Sequence, residues 1–172
     1  MLEVIKEFLE NLFGTSDFGR YIMIFLLSML PAISGPSIAI PFGAALGLPA
    51  FPNALAAIAG NILPVPFIII FIRKIFGLMR KISVRLGKLA DKFENKAKAK
   101  DKVFRRGAFI GLMLFVAVPL PLPGMGAWTG ALIAAIFDVR LKIALPAIGL
   151  GVIISGLITA SVTYGFISLI VR

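Results

Sequence analysis

From Gly107 to Phe137 the chain carries no charged side chain, yet Pro119, Pro121 and Pro123 interrupt it at alternate positions, followed by Gly124 and Gly126. No other feature constrains the fold as strongly. A charge-free run of this length belongs in lipid. A proline inside a helix removes a backbone hydrogen bond and clashes with the preceding turn, so the run cannot be one straight helix. Two apolar arms remain, Ala108–Val118 and Gly126–Phe137. Each is roughly 16–18 Å long at 1.5 Å per residue, about half of a ~30 Å hydrocarbon core. Two half-length arms around a broken tip read as a re-entrant hairpin over residues 107–138. Unpaired backbone at membrane depth is tolerated only against protein or a wet cavity. The tip is therefore where function is expected.

Composition agrees. Of 172 residues, 59% are hydrophobic, and the mean hydropathy is +1.01. That places the chain among all-α integral membrane proteins, as a single membrane domain over 1–172. Cysteine and histidine are absent, which excludes disulfides, thiol or imidazole catalysis and Cys/His metal sites. No nucleophile, base or metal apparatus is visible, so neither enzymatic activity nor a cofactor is expected. The net charge is +10, and 13 of the 18 Lys and Arg lie between Arg73 and Arg106. Cationic loops stay inside, so this block reads as cytoplasmic and the chain as a multi-pass protein of the inner or plasma membrane. A basic run tethered between membrane segments is not read as a nucleic-acid site.

Taken in order, residues 1–17 space Leu2, Ile5, Leu9 and Leu12 helically among Glu3, Glu7 and Glu10, which suits an interfacial amphipathic helix. Tyr21–Ile72 has no ionisable Asp, Glu, Lys or Arg. Within it, residues 20–50 repeat the hairpin plan: arm, Pro31 to Ser37 as tip, arm, then Pro49 and Pro52 as stop. Residues 53–79 form a transmembrane helix kinked at Gly60-Asn61 and Pro64-Val65-Pro66. In residues 80–106, Ile82, Leu86, Leu89 and Phe93 alternate with Arg85, Lys88, Lys92 and Lys96. That pattern is a basic amphipathic helix for an anionic membrane surface; a solvated helical hairpin is the plainer reading. After the second hairpin, residues 141–171 form the last transmembrane helix. Its Gly149, Gly151 and Gly156 allow close helix approach.

Each half is thus a hairpin plus a span, and Pro31, Gly43 and Gly60 parallel Pro119, Gly130 and Gly149. With Arg73–Arg106 inside, the first hairpin enters from outside and the second from inside, an inverted repeat. Four full spans are the rival topology.

Several residues are candidates for binding. Ser34, Gly35 and Ser37 surround Pro36 as a helix start. Gly124 and Gly126 leave the second arm with open N–H groups. Two positive helix ends meeting from opposite sides suit an anion. Trp128 and Thr129 adjoin the second tip, and deep in a membrane the indole N–H needs a partner. Asn61 reads as the one buried amide of the first span. Asp138 and Arg140 read as an anchoring ion pair.

The segments Gly60-Asn61-Ile62-Leu63-Pro64-Val65-Pro66-Phe67, Val118-Pro119-Leu120-Pro121 and Gly126-Ala127-Trp128-Thr129-Gly130-Ala131 resemble the small multidrug export protein family. Ala39-Ile40-Pro41-Phe42-Gly43 matches as well. The resemblance covers most of residues 25–156. It implies a distant relation to the DedA/VTT superfamily, whose members carry re-entrant hairpins in inverted repeat and move phospholipids or polyprenyl phosphates. Gly35-Pro36-Ser37 stands where that family commonly has Glu-Leu-Arg, and a Pro-Leu is inserted in the second tip. The expected function is a lipid flippase or scramblase binding an anionic head group between the two tips. Partners would be membrane lipids and a second copy in a homo-oligomer, a dimer. Export of small amphipathic compounds and a non-transporting membrane scaffold are the alternatives.

Overall fold

The computed structural model describes residues 16–30, 35–82, 101–119 and 126–170. Every regular element among them is an α-helix: α1 (Asp17–Met29), α2 (Pro36–Ala45), α3 (Ala50–Ile62), α4 (Pro64–Ile82), α5 (Asp101–Ala117), α6 (Ala127–Ile136) and α7 (Leu141–Ile170). Ser16 caps α1 by accepting from the Gly19 N–H at 3.2 Å. Residue 17 therefore opens the first arm.

Only Ala50–Ile75 and Leu141–Leu169 are long and apolar enough to cross a membrane among the described residues. The first span runs through α3 into α4. Leu63 joins them in helical backbone, its N–H bonded to the Ala59 carbonyl. Pro52 does not end the preceding segment, as the sequence suggested. It sits in the first turn of α3, where no N–H is needed. α2 stops instead at Ala45. α5 begins at Asp101, so the last residues of the basic segment are already helical with the hairpin arm.

The outer surface is apolar. Phe18, Phe51, Phe67, Phe71, Phe166 and Leu169 are exposed, while Ser28, Asn53, Asn61 and Ser155 are buried. Water would penalise such a continuous greasy belt; lipid does not. Two buried clusters lie beneath it. One joins Val65, Ile69, Val116, Ala131, Ile148 and Val152. The other joins Ile24, Ala39, Ile40, Leu48 and Ala57, with Tyr164 packed on it.

The packing partners alternate in a regular way. α1 lies on α3 and α5 on α7, each first arm against the long helix of its own half. α2 lies on α7 and α6 on α4, each second arm against the long helix of the other half. Glycine sets the first kind of contact. A Cβ on Gly60 would collide with the Phe25 carbonyl, and one on Gly151 with Met113 and Val116.

Helix ends also recur. α2 and α6 are both ten residues long and start from a glycine at positive φ, Gly35 (+53°) and Gly126 (+110°). Both end in the same motif. Leu48 N–H bonds the Gly43 carbonyl at 3.0 Å, and Val139 N–H the Ala134 carbonyl at 2.8 Å. The residues just before, Gly47 and Asp138, are left-handed at +78° and +50°. This is a Schellman end, with Gly in one copy and Asp in the other. The register differs from the one read in the sequence: Gly60 corresponds to Gly151 rather than Gly149, and Gly43 to Ala134 rather than Gly130. Gly149 faces open space. Matching glycines by eye misplaced the register because identical backbone geometry is carried by unlike residues.

Candidate functional site

The two short second arms both pack on α7. Gly35, not a serine, caps α2, and no side chain bonds its first N–H groups. Pro36 at the first helical position removes one donor outright. Ile38 and Ala39 make the first returns, to the Gly35 carbonyl at 3.4 and 3.1 Å. Ser37 is half-buried in that turn. In α6 the first return is Gly130 N–H to the Gly126 carbonyl at 2.9 Å. Each end thus carries partial positive charge.

Landmarks on α7 place the ends. Gly156 meets Ile58 and approaches Pro36, while Gly130 approaches Ile148. Those α7 positions are two turns apart, about 12 Å, near mid-helix. Trp128, in the first turn of α6, reaches the end of α1. Its indole N–H donates to the Met29 carbonyl, the last residue of α1, at 3.0 Å. Thr129 lies beside it, half-buried. Asn61, 3% exposed, stands against Gly35, where a Cβ would collide with its amide. Ser28 completes the wall, donating to the Ala57 carbonyl at 2.6 Å. Of the sequence-predicted residues, Asn61 stands against Gly35, and Trp128 reaches the end of α1; Ser37 and Thr129 lie in the first turns of α2 and α6. Ser34 and Gly124 lie outside the described residues, as do Arg85, Lys88, Lys92 and Lys96.

The exits of the short arms are fastened by groups the sequence reading did not single out. At the α2 exit, the Tyr164 hydroxyl donates to the Leu48 carbonyl at 2.6 Å. That carbonyl has no helical donor, because Pro52 stands where one would be. Asn53, fully buried, donates to the Ile40 carbonyl and the Tyr164 oxygen, both at 2.9 Å. Asn61 is thus not the one buried amide of this span. At the α6 exit, the Arg73 guanidinium donates to the Val139 carbonyl and stands 3.5 Å from the Asp138 carboxylate. Asp138 therefore pairs with Arg73 and not with Arg140. The left-handed turn at Asp138 faces it to α4, while Arg140 is exposed.

Leu48 and Val139 occupy like places at the two helix ends, each with its carbonyl held by a side chain, Tyr164 in one case and Arg73 in the other. Each long helix fastens the other half's short arm at the same place, once with a phenol and once with a guanidinium. Tyr164 lies 23 residues beyond Leu141 on α7, roughly 35 Å along its axis. The two exits therefore sit towards opposite ends of α7.

An apolar exterior and two helices long and apolar enough to cross a membrane, with shorter apolar helices packed on them, define an all-helical membrane protein among the described residues. Residues 36–158 match the family described as putative small multi-drug export protein, and the chain belongs to that family. No curated protein and no solved structure matches it.

Proposed function

We propose that the chain is a transporter of the cell membrane, and that its substrate passes between the tips of two re-entrant hairpins. The hairpins are α1–α2 and α5–α6. The Trp128–Met29 hydrogen bond carries the reading, since it joins the end of α1 to the start of α6. Backbone opened at membrane depth is characteristic of transport sites. The exits of α2 and α6 lie at opposite ends of α7, which supports hairpins entering from opposite faces, an inverted repeat. Cations gather at the α6 exit, which makes that face the cytoplasmic one.

The substrate class that fits is a lipid with an anionic head group, a phospholipid or polyprenyl phosphate. Two helix starts attract a phosphate, and an apolar flank accommodates acyl chains. Reconstituted protein should accelerate the exchange of labelled anionic phospholipid between leaflets relative to protein-free vesicles. Equal rates would remove the lipid reading.

The family description favours a second reading, export of small amphipathic compounds. Unchanged susceptibility to such compounds on expression and on deletion would remove that one.

A further inference from the structure

The two exits are built alike but charged differently. Beside the Tyr164 fastening Leu48, Pro49 and Phe51 are uncharged, and the charges at that end are Asp17 and Arg20 in the first turn of α1, whose Tyr21 packs on the same cluster. Around the Arg73 fastening stand Lys74, Arg140 and Lys142, all exposed, against Asp138 alone. Arg73 spends its guanidinium on a neutral carbonyl and a half-exposed carboxylate, and its Nε is buried without a hydrogen-bond partner. Arg73 lies two residues inside the end of the first apolar span, and Arg140 adjoins the start of the second. In the proposed topology the ends of apolar spans lie at the level of lipid phosphates. Phe71, two residues before Arg73 on α4, is 64% exposed, an apolar surface beside the cation.

We propose that the α4–α6–α7 junction at Arg73, Arg140 and Lys142 is a docking site for the phosphate of an anionic phospholipid. A phosphate oxygen pair engages a guanidinium in two parallel charge-assisted hydrogen bonds, which the Val139 carbonyl cannot supply. Arg140 and Lys142 neutralise the remaining charge from the α7 side. The matching fastening at Tyr164 offers a neutral phenol in place of the guanidinium. The site lies at the membrane face, apart from the tips, and rests on the transport reading only for its purpose as an entry point.

Native mass spectrometry of protein from nanodiscs of mixed phosphatidylglycerol and phosphatidylcholine tests this. The wild type should retain phosphatidylglycerol preferentially. Arg140→Gln with Lys142→Gln touches no fastening and should lower that preference roughly thirtyfold, at the usual contribution of interfacial cations. Arg73→Gln should abolish it, and Arg73→Lys should restore it in part. The emission of Trp128, the single tryptophan, checks that each variant keeps its tips together. A wild-type preference in either glutamine variant overturns the proposal. So does inorganic phosphate that occupies the site while phosphatidylglycerol is not retained. Retained phosphatidylglycerol without leaflet exchange would remove the lipid-transport reading and leave the docking site standing.

Discussion

Gly35 meets two demands at one position. Its backbone lies at φ +53°, and its missing Cβ is where the Asn61 amide stands. Gly35→Ala should cost about 1–3 kcal/mol through backbone strain alone, before any displacement of Asn61. A lowered melting temperature in detergent, with loss of transport, is the expected outcome. Trp128→Phe keeps the ring and removes the donor to Met29. It should cost about 1 kcal/mol while slowing transport far more than that loss of stability explains, which parallel thermal and vesicle assays would separate. Tyr164→Phe strips the Leu48 carbonyl of its donor and Asn53 of an acceptor. With two buried groups left wanting, a cost of about 1–3 kcal/mol is expected by thermal unfolding.

At the scale of elements, glycine decides how closely the first arms lie on their spans. Gly60→Leu would drive a side chain into the Phe25 backbone and lift α1 from α3, at roughly 1–3 kcal/mol or more. Gly149→Ala, facing open space, should be close to neutral in the same assay. The arms themselves were legible in the sequence, because Pro and Gly punctuate an otherwise charge-free run. Gly126–Phe137 was expected and α6 covers Ala127–Ile136; Ala108–Val118 was expected and α5 ends at Ala117. Two limits of that reading are physical. Prolines at a first turn and prolines at a break look the same in one dimension, which is how Pro52 was misplaced. The fastenings join residues 66 and 116 positions apart, and no local periodicity records such pairs. Arg73 reads as the start of a basic block, and Tyr164 as one more aromatic in an apolar helix.

For the molecule as a whole, the proposed topology places the α2 exit on one face and the α6 exit on the other. Pro49→Cys and Arg140→Cys both fall at exposed positions. In sealed vesicles of uniform orientation, an impermeant thiol reagent should reach one from outside and the other only from inside. Labelling of both from the same side would rule out inversion, whatever is transported.

The exchanged short arms have a consequence for sequence. Each long helix supplies the clasp that holds the other half's short helix, as two identical subunits do across a symmetric dimer, where one patch must complement itself. Identical subunits would need the same residue at both clasps. Within one polypeptide that requirement does not apply, and here one clasp is a phenol and the other a guanidinium.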